Sequence, residues 1–250
     1  MAETALHFAG VAKNYGREQA LRGVTFEVQR GEFFGVVGIN GAGKTTLLKC
    51  LLDFCNLAGG TIDIFGMPHH LTAARRRLAF LPERFNPPYY LTGEDFIRYV
   101  LDMQSTPYER GEAEHMLRSF DLDGRLLKLP VRAYSKGMTQ KLGLAACLLS
   151  RKDLYILDEP ASGLDPKAHA LLKARLRELK QRSCTVFFTS HALADVAELC
   201  DRVAVIHDGS LKFAGTPSAL CARYDGDDLE QAFLRCIDAT RAAGVRKTQQ

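Results

Sequence analysis

Residues 38–46 read GINGAGKTT, and the spacing of Gly38, Gly41 and Gly43 ahead of Lys44, Thr45 and Thr46 is what a phosphate-cradling loop requires. Glycines let backbone approach phosphate oxygens, and Asn40 and Ala42 are read with them as nucleotide-binding positions. Lys44 is placed to bridge the β- and γ-phosphates, and the Thr45 hydroxyl to ligate Mg²⁺. The run before the loop, Phe33 to Val37, is a short apolar strand, and the run after it, Thr46 to Cys55, has a helical pattern. That strand–loop–helix context is what gives the motif its meaning. Free amides at a helix N-terminus, together with the macrodipole, then favour an anion at the loop. A glycine-rich turn without ligand is the alternative, but at an ordinary glycine content of about 7% so long a chance match is improbable. The loop is read as binding a nucleoside triphosphate.

Three more clusters carry chemistry. The apolar strand Leu154 to Leu157 ends in Asp158 and Glu159, two carboxylates at the carboxyl edge of a parallel sheet, where ligands of such sheets bind. Asp158 is read as a direct or second-sphere holder of Mg²⁺ and Glu159 as the group that polarises the water attacking the γ-phosphate; a turn that is merely acidic is the alternative. Strand Thr185 to Thr189 delivers Ser190 and His191 in a similar position before a helix, which favours a γ-phosphate contact over a structural histidine. Finally, Tyr134, Ser135, Lys136, Gly137 and Met138 introduce a helix with apolar positions at Met138, Leu142, Ala145, Ala146 and Leu149. Ser135 can cap that helix and Gly137 lets backbone come close to an anion. Asp165 and Pro166 are a good N-cap and first residue for the helix through Leu172, Leu176 and Leu179.

The elements that must position these residues make an α/β protein. Val24, Phe26 and Val28 alternate with Thr25, Glu27 and Gln29, and with a short strand around Leu6 to Phe8 they suggest an N-terminal antiparallel sheet. Later strands, at Leu154 to Leu157, Val186 to Phe188 and Val203 to Ile206, are continuous apolar runs, as in a parallel sheet covered on both faces. Between them a helical subdomain is expected from about residue 85 to 150, started by Thr92 with Asp95 and by a capping box of Thr106, Pro107 and Glu109. Its apolar faces are read as Phe96, Val100 and Met103, then Met116, Leu117 and Phe120. The nucleotide-binding domain is expected over 1–225, followed by a short C-terminal helix through Leu229, Phe233, Cys236 and Ile237 and a frayed basic tail within 226–250.

Bulk properties exclude several classes. The chain is 250 residues, 46% hydrophobic and 25% charged, with a formal net charge of +4, too small to imply nucleic-acid binding. The run Arg75 to Arg77 reads as a solvated helix face. No stretch approaches the roughly 20 apolar residues of a membrane helix, and the start, MAETALHFAG, lacks the features of a secretion signal, so a cytoplasmic chain is expected. The seven cysteines show no CxxC pair and are read as reduced, buried small hydrophobes.

The segment YSKGMTQKLGLAACLL resembles the signature of the ATP-binding-cassette (ABC) family, and the resemblance covers roughly residues 5 to 220 in the family's motif order. Tyr15 matches the aromatic residue on which adenine stacks, GINGAGKTT the Walker A loop, LYILDEP the Walker B strand, SGLD the D-loop and His191 the switch histidine. The resemblance implies the ABC ATPase fold, a phosphate-loop NTPase core with an N-terminal antiparallel β-subdomain and an inserted helical subdomain. It also implies a head-to-tail dimer enclosing two Mg·ATP, in which Ser135, Lys136, Gly137, Met138 and Asp165 of one copy face the nucleotide held by Lys44 of the other. A homodimer is expected, peripheral to the cytoplasmic face of the inner (plasma) membrane and driving a separate transmembrane permease. Two positions depart from the family's usual text. Lys136 replaces a glycine, and Glu83 in FLPERF replaces a glutamine that contacts the metal; Glu83 either ligates Mg²⁺ or pairs with Arg84 or a basic residue of a partner. The YSKGM and LPE variants resemble exporters whose domains are separate polypeptides. A soluble ABC ATPase acting on ribosome or DNA is the rival, though such proteins usually carry tandem cassettes or a long coiled coil. A small-molecule phosphotransferase ranks last, because it has no use for residues 134–138 or His191.

Overall fold

A computed structural model describes residues 3–247. The chain forms two compact units, Met1–Arg75 with Thr185–Gln250, and Arg76–Cys184. The N-terminal part of the first unit contains β1 (Thr4–Tyr15), β2 (Glu18–Gln29), β3 (Phe33–Val37), α1 (Lys44–Leu51), β4 (Gly59–Ile64), β5 (Met67–Pro68) and α2 (Thr72–Arg75). The second unit holds β6 (Leu78–Leu81), α3 (Gly93–Met103), α4 (Arg110–Ser119), α5 (Lys136–Leu149), β7 (Leu154–Asp158) and α6 (Pro166–Gln181). The chain then returns to the first unit through β8 (Thr185–Ser190), α7 (Leu193–Leu199), β9 (Arg202–His207), β10 (Ser210–Gly215), α8 (Pro217–Tyr224) and α9 (Leu229–Lys247).

In the first unit β2, β1, β4 and β5 make an antiparallel sheet in that order. Beside it β3 lies between β8 and β9, parallel to both, and β10 folds back antiparallel on β9. Every residue of β3 and of β8 is buried, which is why both read as unbroken apolar runs rather than alternating ones. Four phenylalanines lock the two sheets together. Phe8 of β1 stacks on Phe26 of β2 at 4.5 Å between ring centroids, Phe26 stacks on Phe34 of β3 at 5.2 Å, and Phe34 lies 5.9 Å from Phe187 of β8. These rings fix β3, and hence the start of the phosphate loop, against the antiparallel sheet.

In the second unit β6 and β7 are parallel, with Leu81 opposite Leu157. Helix α5 is buried at every position from Gln140 to Leu149, so it forms the centre of this unit, with α3 and α4 against it. Thr92 and Asp95 cap α3 reciprocally: the Asp95 amide donates to the Thr92 hydroxyl at 3.1 Å, and the Thr92 amide to the Asp95 carboxylate at 3.4 Å.

Several expectations are corrected. Strand β1 is much longer than Leu6 to Phe8. The second capping box does not form: α4 starts at Arg110 after Glu109, and the Thr106 hydroxyl donates to the Ser150 carbonyl at 3.1 Å instead. The buried face of α3 is Phe96, Ile97 and Leu101, while Met103 is 69% exposed, because α5 meets the neighbouring stripe. Arg75 to Arg77 is no free basic face: Arg75 pairs with Asp53 at 3.2 Å and Arg77 with Asp153 at 2.8 Å. Cys55, Cys184 and Cys221 are only half-buried, though none of the seven cysteines is in a disulfide. Helix α9 continues to Lys247, so most of the expected frayed tail is helical; residues 248–250 lie outside the described residues. No helix among the described residues is long and apolar enough to cross a membrane.

The stacked rings yield a stability prediction. Phe26→Ala removes the ring in contact with Phe8 and Phe34 and leaves a cavity, at a cost of about 3–5 kcal/mol. Urea titration followed by circular dichroism is expected to show an earlier midpoint at an unchanged slope.

Candidate functional site

The phosphate loop begins where β3 ends. Its path depends on two glycines. A Cβ on Gly38 would lie 2.4 Å from the Ile206 carbonyl oxygen of β9, and Gly43 has φ 109°, with a would-be Cβ 2.9 Å from the Ala20 carbonyl oxygen. The loop is tied below by the Gly209 amide, which donates to the Ala42 carbonyl at 3.0 Å, while the Arg22 amide donates to the Gly209 carbonyl at 2.8 Å. Gly43 is the N-cap of α1, which has neither a side-chain cap nor an acid in its first turn. Its amide end therefore has no protein side chain to offset its dipole, a start that suits an anion. Lys44 is buried, and its ammonium donates to the Gly38 carbonyl at 2.6 Å, held inside the loop rather than in solvent. Thr45 is exposed and Thr46 half-buried at the first turn of the helix.

Strand register brings His191 to this loop's edge. Val37 pairs with Ser190 across the parallel β3–β8 ladder, so Gly38 and His191 are the next residues on adjacent strands at the same carboxyl end. The Ser190 hydroxyl accepts from the Ala192 amide at 3.0 Å and shapes the turn that carries His191, which is exposed. Tyr15, at the end of β1, is 45% exposed, with the Lys13 ammonium 5.0 Å from its ring centroid. Burial raises its phenol pKa, with the Cys55 thiol adding to the shift and Thr46 opposing it.

In the second unit the β6–β7 register sets Glu83 and Asp158 at one carboxyl edge, Glu83 being two residues beyond Leu81, which pairs with Leu157. Asp158 is buried, Glu159 half-buried and Glu83 exposed. Glu83 and Arg84 are both exposed. Glu159 has φ 47°, a left-handed conformation that costs a non-glycine residue of order 1 kcal/mol, and its carbonyl accepts from the Ser162 amide at 2.9 Å. The turn therefore holds this carboxylate in a backbone shape its residue type does not favour.

The signature segment and the turn after Glu159 meet within the same unit. The Ser135 hydroxyl caps α5 by accepting from the Met138 amide at 3.2 Å, and no acid lies in the first turn. Asp165 caps α6, accepting from the Ala168 amide at 2.8 Å, with Pro166 in the first turn. A Cβ on Gly163 would lie 3.4 Å from the Lys136 side chain, and one on Gly137 3.6 Å from the Gly163 carbonyl oxygen. Ser135, Gly137, Met138, Lys141, Leu164 and Asp165 line a groove of about 340 Å³. Sequence reasoning missed Lys141, a buried cation on that groove, and Gly209, whose Asp208–Gly209 pair is a hairpin signal that could have been followed to the loop above it.

Oxygen donors suited to Mg²⁺ are present in each unit: the exposed Thr45 hydroxyl, and the carboxylates of Asp158 and Glu83. No group of three His, Cys, Asp or Glu residues among those described could hold a metal by itself. Hydroxyl and carboxylate oxygens are the donor type that Mg²⁺ takes.

Comparison with known proteins agrees with this chemistry. The family described as "ABC transporter" matches residues 21–162. An uncharacterised ABC transporter ATP-binding protein of Synechocystis sp. is 36% identical over 83% of this chain and 60% of its own length. The Nod factor export ATP-binding protein I of Paraburkholderia xenovorans is 36% identical over 93% of this chain and 78% of its own. The chain thus spans about 60% of the length of the first of these relatives. A solved ATP-binding subunit of an ABC transporter superposes with a TM-score of 0.85 at 31% identity, covering 93% of this chain and 99% of that one.

The loop geometry makes its own prediction. Gly38→Ala drives a methyl group into the Ile206 carbonyl and is expected to abolish nucleotide binding, measured by isothermal titration calorimetry, while far-ultraviolet circular dichroism still reports a folded α/β protein.

Proposed function

Because the chain belongs to the ABC transporter family, matching its ATP-binding subunits, we propose that it binds Mg·ATP, pairs head to tail with a second copy around the nucleotide, and hydrolyses ATP to drive a separate transmembrane permease. The observation that carries this reading is the α1 terminus: an uncapped, acid-free helix start beneath a glycine loop, with the Lys44 ammonium held at that loop. Such a start favours a polyphosphate over a neutral ligand. The helical subdomain of 85–150 and the cassette boundaries of 1–225 belong to the same proposal.

Within it each residue has a task. Tyr15 carries the adenine. The amides of Gly41 to Thr46 and the Lys44 ammonium hold the β- and γ-phosphates, whose charge is otherwise costly to bring together. Thr45 and Asp158 hold Mg²⁺, with Glu83 as a further oxygen donor, and the ion when bound neutralises charge that builds on the phosphates. Glu159 accepts a hydrogen bond from the attacking water and takes its proton as the γ-phosphoryl group passes to that water, giving ADP and phosphate. His191 supports the γ-phosphate from the end of β8. From the second copy, Ser135 and the α5 amides at Lys136 to Met138 approach the same γ-phosphate, with Asp165 ordering the neighbouring turn. Closure is therefore favoured by ATP and undone by its cleavage, which is how chemical free energy reaches a mechanical partner.

The permease reading is supported by apolar surface on the second unit: Tyr89, Tyr90, Tyr99 and Met103 are each more than half exposed. Aromatic residues and methionine are enriched where proteins dock. Export is favoured by the name of the Nod factor export relative and by the Lys136 and Glu83 variants. A permease partner would hold the chain at the cytoplasmic face of the inner membrane, without nucleic acid.

Glu159→Gln keeps size and hydrogen bonding but removes the base. Phosphate release is expected to fall by about 10²–10⁴-fold with ATP affinity retained, and an ATP-dependent dimer to accumulate on size-exclusion chromatography. Near-normal turnover would remove Glu159 from the role of base. Ser135→Ala in that background is expected to dissolve the dimer without changing ATP affinity of the monomer.

A further inference from the structure

The far end of α1 carries a pair of thiols that ATP chemistry does not use. The helix stops at Leu51, and Asp53 takes φ 61° while the Phe54 amide donates back to the Lys49 carbonyl at 2.8 Å. This left-handed C-terminal turn reverses the chain and brings Cys55 over Cys50. Their sulfurs are 3.6 Å apart, with Cys50 fully buried and Cys55 half-buried. The Tyr15 hydroxyl lies 3.8 Å from the Cys55 sulfur, so the thiol pair touches the residue proposed to carry adenine. The Lys13 ammonium joins the same cluster, 5.0 Å from the Tyr15 ring centroid and donating to the Asn56 carbonyl at 2.7 Å.

We propose that Cys50 and Cys55 are a redox-modifiable pair, oxidised to an intramolecular disulfide by a low-molecular-weight disulfide such as glutathione disulfide, and that closure displaces the Tyr15 side chain and weakens ATP binding. The first half rests on the sulfur geometry; the second also rests on the adenine role of Tyr15.

The order of reaction follows from burial. Cys55 is reachable and its thiolate attacks glutathione disulfide, forming a mixed disulfide and releasing one glutathione thiolate. The Cys50 thiol, pushed up to about 12 chiefly by burial and partly offset by the Lys13 charge, is a poor nucleophile toward an external oxidant. It is already beside the Cys55 sulfur, and once deprotonated it attacks there and expels the second glutathione. Two protein thiols lose two protons and two electrons, and one glutathione disulfide becomes two glutathione thiols. A disulfide bond is about 2 Å long, so the sulfurs must close from 3.6 Å, and the half-buried turn at Cys55 is the side free to move. That movement alters the contact between the Cys55 sulfur and the Tyr15 hydroxyl, now 3.8 Å. In a reducing compartment such a bond is transient, which suits a sensor rather than a staple.

The full-length protein, reduced and then desalted, is incubated with glutathione disulfide and digested with trypsin without reduction. Cleavage after Lys49 leaves both thiols in the peptide 50–75. The proposal expects that peptide two hydrogens lighter and free of glutathione, and ATP affinity by calorimetry about tenfold weaker, the order of one base stacked on one ring. Dithiothreitol is expected to restore it, Cys55→Ser to be insensitive to the oxidant, and Cys50→Ala, which lacks the resolving thiol, to retain glutathione on Cys55. A wild-type peptide that stays reduced, or that retains glutathione on Cys55, overturns the thiol pair. A disulfide that forms without changing ATP affinity, while Tyr15→Ala weakens it, overturns the coupling alone. If Tyr15→Ala leaves ATP affinity unchanged, the adenine role fails, and the mass result stands or falls for the thiol pair independently.

Discussion

The phosphate loop can follow its path only because β9 runs directly beneath it without leaving room for a side chain. Gly38 meets the Ile206 carbonyl, and the turn at Gly209 is bonded both to Ala42 in the loop and to Arg22 in β2. The loop is therefore clamped between the parallel strands and the antiparallel sheet at two points of backbone contact, where side chains would intrude. The phenylalanine stack of Phe8, Phe26, Phe34 and Phe187 holds those same sheets in register from below. The core of the first unit thus supplies what a polyphosphate site needs: amides that point one way before any ligand arrives, so that little reorganisation free energy is lost on binding.

How much of this was legible follows from how local each signal is. Strand β3 was read with its observed bounds because five residues buried on both faces leave no ambiguity of period. The long β1 was reduced to its first part because register shifts between Phe8 and Val11, and again between Val11 and Ala12, break the alternation on which a strand is recognised. Thr106 failed as a cap because a distant carbonyl, that of Ser150, took its hydroxyl. In α3 two apolar stripes run side by side, and only the position of α5 decides that Ile97 and Leu101 are inside while Met103 is out. The positions of the motif residues at the ends of strands were legible, since β3, β7 and β8 are short and apolar. The neighbourhood of Tyr15 was not, because Lys13, Cys50 and Cys55 meet it only through the packing of β1 on the last turn of α1.

Glu159 shows strain placed where the chemistry is proposed. Its left-handed backbone would suit glycine or asparagine, and a free choice of turn residue would avoid the cost. Eight other non-glycine residues among those described share that region, Phe65 and Arg151 among them, so the conformation is compatible with the proposed role of Glu159 without singling it out. By contrast Gly163, a few residues on with φ 76°, uses the residue type its conformation asks for, and its lack of a side chain lets Lys136 lie close. The two residues of one turn thus differ, Glu159 bearing a conformational cost and Gly163 avoiding it.

The helix termini extend that contrast to the whole chain. Among the described helices of eight residues or more, α3, α5, α6 and α8 begin with a side-chain cap, and α4 and α9 carry an acid in the first turn. Helix α1 alone has neither. An uncapped start with no compensating charge leaves amides unsatisfied, a cost that a soluble helix ordinarily avoids with one serine or aspartate worth about 1 kcal/mol. On the proposed function, either substitution would also crowd a bound phosphate. The missing cap is then a local loss of stability that a bound phosphate offsets, and the Lys44 ammonium, donating to the Gly38 carbonyl, sits at the same loop.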